Sequence, residues 1–140
     1  MSLDTIIIKP YDLKQSILTT LADNEMKQIL DATTHTIKSI NDIIIETRIP
    51  RTSAYRKINW MHEQGLLGVM KIIITDDGKK MNLFQSTLKS ISINYENTQV
   101  TVEAEKNTDV MRRVAQKFFS SDVIDYPKTI SSMKSRRLYQ

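Results

Sequence analysis

The run Ile49 to Leu67, IPRTSAYRKINWMHEQGLL, is bracketed by two residues that leave the backbone little choice. Pro50 suits the first position of a helix, because its missing N–H would have no partner there and its φ is already helical. Gly65 suits the end of the same helix, since a left-handed terminal residue costs glycine nothing. Between them, Ala54, Ile58 and Met61 fall at i, i+4 and i+7 and draw one apolar stripe. The other side carries Arg51, Thr52, Ser53, Tyr55, Arg56 and Asn59, which bring positive charge and hydrogen-bonding groups without a carboxylate. The pattern predicts a helix from Arg51 to Gln64 with one face committed to a core. Its other face holds the groups that fork onto guanine and adenine edges in the major groove of duplex DNA. A merely solvated helix presents the same residue types, so the pattern alone leaves both readings open.

Upstream, Ile6, Ile7 and Ile8 before Pro10 predict a short extended arm too apolar to be left in water. Leu13, Ile17, Leu18 and Leu21 have helical spacing. Asp23 is placed to cap a second helix through Ala32, with Met26, Ile29 and Leu30 inward. The β-branched Thr33, Thr34 and Thr36 predict a very short strand ending near Lys38. Ser39 and Asp42 have capping-box spacing, with Asp in place of the usual Glu, and open a helix to Thr47 that buries Ile40, Ile43 and Ile44.

Downstream the period changes. Val69, Ile72, Ile73 and Ile74, a turn at Asp76, Asp77 and Gly78, and a return through Leu83 and Phe84 predict a hairpin with Lys79 and Lys80 at its tip. A second hairpin follows, with Ile91, Ile93 and Tyr95 alternating against Val100, Val102 and Ala104 around Glu96 and Asn97. Asn107 or Thr108 then caps a last helix with the stripe Val110, Met111, Val114, Ala115 and Phe118. Residues 121–140 are polar and basic, which predicts a frayed or disordered tail.

Charge is distributed unevenly. The net value is +4 over 140 residues, yet residues 1–47 carry −3, 48–80 carry +4, 81–109 carry −2 and 110–140 carry +5. Positive charge therefore gathers on the bracketed helix and in the tail, where it can neutralise phosphates locally. Cysteine is absent, which removes disulfides and thiolate ligands together. No apolar run approaches the ~18 to 20 residues of a membrane span. The N-terminal MSLDTIII has no basic leader, so the expected location is cytoplasmic.

The order of helices and hairpin, with INDIIIET preceding IPRTSAYRKINWMHEQGLL, resembles the winged helix-turn-helix of ArsR-like transcription regulators, especially archaeal ones, over about residues 12–86. The resemblance implies an α+β fold: helices and a β-hairpin wing, followed here by a C-terminal β-hairpin and helix extension. The chain is accordingly read as a DNA-binding domain with its arm over residues 1–86, a β-hairpin and helix at 87–120 that lies outside the resemblance and is expected to serve in pairing, and a basic tail at 121–140. Gly65, Leu66 and Leu67 stand where the family ends its recognition helix. Two positions depart: Ile44 replaces a small residue, and Arg48 stands where a turn glycine is frequent. Implied partners are double-stranded DNA and a second copy of the chain, with Arg51, Thr52, Ser53, Tyr55, Arg56 and Asn59 on the groove or its phosphates and Lys71, Lys79 and Lys80 on the backbone. The chain outside that resemblance adds further apolar surface for a two-fold dimer to bury. The alternative is a winged-helix protein-interaction module without specific DNA binding.

An enzyme is not expected, since no nucleophile elbow, phosphate-binding glycine loop or HExxH run is present. Nor is a cofactor or metal expected, because His35 and His62 are far apart and lack a third ligand. Trp60 and Tyr55 can stack on bases, but aromatics at helical spacing more often pack, which assigns Trp60 to the core. A pocket for an effector among Trp60, Phe84, Tyr95 and the last helix is a further possibility of the pattern, although the same residues serve equally as core.

Overall fold

Four helices and two antiparallel sheets make up the computed structural model, which describes residues 5–108 and Val110. The expected last helix, Val110 apart, and the basic tail lie outside the described residues. The fold is α+β, as the alternation of periods predicts. Strand β1 (Thr5–Ile7) is followed by α1 (Tyr11–Leu21), α2 (Asn24–Thr33), α3 (Ile40–Thr47) and α4 (Arg51–Glu63). Strands β2 (Leu67–Ile74) and β3 (Lys80–Ser86) form one hairpin, and β4 (Leu88–Glu96) and β5 (Gln99–Lys106) form the next. The apolar arm finds its cover at β5, where Ile6 pairs with Ala104, so the second sheet runs β1-β5-β4.

Helix boundaries follow local chemistry. The Asp23 carboxylate accepts from the Met26 N–H at 2.9 Å and starts α2. Ser39 and Asp42 close a reciprocal capping box at the head of α3, Asp serving despite its shorter reach. Helix α3 ends on Arg48 in the left-handed region at φ 64°, a conformation that glycine adopts without steric cost. At the end of α4, Gly65 at φ 86° lets its own N–H reach the His62 carbonyl (3.0 Å) and the Leu66 N–H reach that of Met61 (2.9 Å). These two bonds form a Schellman motif, which turns the chain directly into β2.

Three sequence expectations need correction. Pro50 is the N-cap rather than the first helical residue; its carbonyl accepts from the Ala54 N–H at 2.8 Å. No strand forms at Thr33 to Thr36. Thr33 instead completes α2, its hydroxyl donating to the Ile29 carbonyl at 2.8 Å, and only Lys38 bridges Phe84 of β3. The β4–β5 turn sits one residue later than expected, on Asn97 (φ 52°) and Thr98 (φ 62°). Two consecutive left-handed residues match the right-handed twist of the strands, and Asn tolerates that conformation better than Glu96 would.

One core serves all these elements. Ile17, Ile29, Ile43, Ile58, Met61, Leu66, Leu67 and Phe84 are buried in the same cluster as Ile8, Val102 and Ala104. Asn107, directly before the helical Thr108, also acts as a cross-tie, since its buried amide donates to the Thr34 carbonyl (3.0 Å) and the Ser86 carbonyl (3.2 Å). It thereby joins the end of β5 to α2 and to β3. Among the described residues no helix is long and apolar enough to cross a membrane.

The two left-handed residues flanking α4 predict opposite responses. Gly65→Ala should lower unfolding free energy by about 1 kcal/mol. Arg48→Gly should leave it unchanged or slightly raised, because relief of left-handed strain offsets the added backbone entropy of the unfolded chain. Urea midpoints of the two variants against the parent chain check both.

Candidate nucleic-acid interface

Helix α4 divides lengthwise into rows, and each row has a different fate. Ala54, Ile58 and Met61 are fully buried, as the stripe predicts. The neighbouring row, Ser53, Lys57, Trp60 and Gln64, follows at helical spacing and is half-buried. Three of its members are tied to the preceding helices by polar contacts. Lys57 Nζ lies 2.9 Å from Asp23 Oδ2 and 3.0 Å from Glu25 Oε1. The Ser53 hydroxyl donates to Glu25 at 2.7 Å, and the Ser16 hydroxyl of α1 donates to Gln64 at 2.7 Å. Trp60 packs against the core, in keeping with its structural assignment.

The remaining rows face solvent. Arg51, Thr52, Tyr55, Arg56 and Asn59 are all exposed. Arg51 lies over the Tyr55 ring, 5.9 Å from its centroid, and its guanidinium donates to Asn41 Oδ1 of α3 at 3.1 Å. Those two contacts hold the guanidinium at the start of α4 instead of letting it wander. Pro50 provides no side-chain cap there, so the first backbone N–H groups of α4 point outward with no side-chain acceptor. The end of the helix is less favourable to an anion, because Glu63 is exposed there.

Of the six α4 residues named from sequence, the structure thus gathers five on one open surface. Ser53 is turned toward α2 and engaged by Glu25. Two neighbours escaped the sequence reading. Arg48 is exposed in the turn before α4, where its only sequence signal was being a non-glycine in a turn. Asn41 is exposed on α3 and becomes relevant only through its bond to Arg51. Lys57 was not among the candidates, and its pairing with two carboxylates explains why a lysine in this helix faces inward.

On the hairpin, Lys71, Lys79 and Lys80 are exposed, but the tip is not purely cationic. Asp77 lies 4.0 Å from Lys79 Nζ and takes a hydrogen bond from the Thr75 hydroxyl, which lowers its pKa. Asp76 is exposed beside it, so two carboxylates offset the two tip lysines. The same turn is closed by the Thr75 N–H on the Lys79 carbonyl (2.8 Å), with Gly78 at φ 84°.

No metal-binding group of three or more His, Cys, Asp or Glu occurs among the described residues. The His62 ring meets Phe84 edge-on at 5.7 Å. The residues suggested for an effector pocket do not share an environment: Phe84 is buried in the core, Trp60 is half-buried, and Tyr95 is exposed on the second hairpin. No known protein family, curated protein or solved structure matches the chain.

The Lys57 cluster has a defined pH signature. Asp23 is lowered chiefly by the hydrogen bond from Lys57, Glu25 chiefly by that from Ser53, and Lys57 is raised chiefly by Asp23. The depressed carboxylates stabilise the fold above the ordinary carboxylate range, and that contribution disappears as pH falls through it. The raised lysine contributes up to the ordinary lysine range and loses its contribution only above it. With Lys57 only 12% exposed, Lys57→Met should cost about 1 kcal/mol at neutral pH, between the values for exposed and buried pairs. Urea unfolding at pH 7 and at pH 3 should show that deficit shrinking in acid.

Proposed function

We propose that the chain is a sequence-specific double-stranded DNA-binding transcription regulator of winged helix-turn-helix type, acting as a homodimer. In this reading α3, the turn at Arg48 and α4 are the helix-turn-helix, and β2–β3 is the wing. Helix α4 enters the major groove with Arg51, Tyr55, Arg56 and Asn59, while Thr52 and the free N–H groups at its start meet a phosphate. Lys71, Lys79 and Lys80 lie along the backbone, and a second copy sets two such helices about one DNA turn apart, ~34 to 36 Å.

The observation that carries the reading is the division of α4. One row is buried and a second is engaged by α1, α2 and the core, while the rows bearing Arg51, Arg56 and Asn59 are left open. Arg and Asn are the side chains that pair two-pronged with guanine and adenine, and a fixed helix presents them in a constant register. The tip carboxylates argue that the wing contributes orientation more than charge.

A protein-interaction module is the second reading, and exposed isoleucines on the wing favour it. Ile72 and Ile74 of β2 are both solvent-facing, as is Ile45 of α3. Apolar wing residues suit a protein surface better than a phosphate chain.

Selection of bound duplexes from a random library, followed by a salt titration of the enriched sequence, separates the two. DNA recognition predicts an enriched motif and affinity that falls steeply with salt. Arg56→Ala and Asn59→Ala should each cost roughly 1 to 3 kcal/mol of discrimination between motif and random duplex. Lys79→Ala should weaken both by the same factor. An unenriched library with salt-insensitive background binding would leave the protein-interaction reading in its place.

A further inference from the structure

Strand β4 is an edge of the β1-β5-β4 sheet among the described residues, and its central stretch lacks the guards of an edge built to be left open. Natural edges are commonly guarded by proline, inward charge, bulges or brevity. Here the strand is nine residues long. Its irregularity lies only at the start, between Leu88 and Ser90, and the stretch from Ser90 to Tyr95 contains no charge and no proline.

The register of the hairpin identifies which groups face outward. The two-residue turn at Asn97 and Thr98 makes Glu96 and Gln99 the closing hydrogen-bonded pair, and pairs alternate from there. Asn94 and Ser92 therefore spend their N–H and C=O groups on β5, whereas Tyr95, Ile93 and Ile91 direct theirs at the open edge. The same three side chains share the face of Val100, Val102 and Ala104, the core side of the sheet. Ile93 is nevertheless 43% exposed, although its partner Val102 is fully buried, and Tyr95 is 70% exposed.

We propose that β4 pairs with β4 of a second copy of this chain, antiparallel and with Ile93 on the two-fold axis. This gives the homodimer proposed above a location, and it rests on that part of the reading. Of the registers that keep both apolar rows on one face, the one centred on Ile93 alone gives every edge-directed residue an apolar partner. With Ile93 opposite Ile93, the two Ile91 residues face the two Tyr95 residues, and all three edge-directed residues of each copy exchange hydrogen bonds, about six in total. A shift of one residue sets Ile91 against Asn94 and turns the apolar rows to opposite faces. A shift of two brings Tyr95 against Lys89 at the bulge in one direction and Ile91 against Asn97 of the turn in the other, and each leaves one edge-directed residue without a regular partner. In the centred register no like charges oppose, since Glu96 faces Ser90. The product is one continuous sheet of both copies, β1-β5-β4-β4-β5-β1, with Ile91, Ile93 and Tyr95 forming an unbroken apolar strip across the seam.

The chain's lack of cysteine makes the test direct. Ile93→Cys is oxidised gently without DNA at tens of micromolar and run on a non-reducing gel, with Thr101→Cys on β5 as the comparison. The proposal expects a covalent dimer from Ile93→Cys in most of the sample and little from Thr101→Cys. Sedimentation of the parent chain should give twice the 16.2 kDa chain mass. Ile93→Pro, which deletes an outward N–H and leaves the bonds to β5 in place, should shift the parent's half-dimerisation concentration upward at least tenfold. A monomeric parent mass overturns both the edge pairing and the two-copy arrangement. A dimeric mass with no more cross-linking from Ile93→Cys than from Thr101→Cys overturns the edge pairing alone and leaves DNA recognition to its own assay.

Discussion

Lys57 is the contact on which the arrangement of the candidate surface turns. A single ammonium sits between the Asp23 carboxylate that caps α2 and the Glu25 carboxylate in the first turn of that helix, at 2.9 and 3.0 Å. Negative charge is already favoured at a helix N-terminus, so the two acids stabilise α2 and then serve as an anchor for α4. Ser53 adds a second bond to Glu25 one turn earlier along α4. The apolar row of Ala54, Ile58 and Met61 would allow α4 to roll a little in its seat, because burial has no direction. The polar row beside it removes that freedom. What remains outward, Arg51, Tyr55, Arg56 and Asn59, is thereby fixed in orientation as well as in exposure.

Much of this was legible in the residues because the local signals agree. The capping box at Ser39, the cap at Asp23, the glycine after α4 and the two hairpins each have a mechanism that acts within a few residues, and periodicity reports burial directly. The misses have physical reasons of the same kind. Thr33 has strand propensity, but a buried threonine can bond its hydroxyl to the carbonyl one turn back, and α2 absorbs it. The β4–β5 turn slipped by one because Thr98 in the left-handed region is a conformation that propensity argues against. Of the candidate surface, the cationic face was visible and its inner boundary was not. Nothing in the spacing of Ser53 or Lys57 reveals that Asp23 and Glu25 lie across from them, for that contact spans some thirty residues and exists only once α2 and α4 are packed.

The first and last described strands are joined in the second sheet in a way that composition alone gives no hint of. β1 is three residues long and pairs only with β5, yet Ile8 just after it is buried in the common core and donates to the Val102 carbonyl at 2.8 Å. Lys14 of α1 reaches the Val100 carbonyl at 3.2 Å, and Asn107 closes the far end onto α2 and β3. The β4–β5 hairpin is thus joined to the core through Val102 and Ala104, while Ile93 and Tyr95 of β4 are exposed. That division puts the exposed apolar side chains of β4 and the open cationic rows of α4 on separate elements.

The central claim is that the outward rows of α4, flanked by the turn at Arg48 and the β2–β3 hairpin, receive duplex DNA. The most direct measurement is a titration of isotopically labelled protein with a random-sequence duplex at low salt, following backbone and arginine side-chain resonances. Non-specific binding uses the same electrostatic face as specific binding, so no operator is needed. The account predicts progressive shifts at Arg48, Arg51, Thr52, Tyr55, Arg56 and Asn59, smaller ones at Lys71, Lys79 and Lys80, and still resonances along Ile91 to Tyr95. Shifts confined to other surfaces, or an unchanged spectrum at saturating duplex, would contradict it.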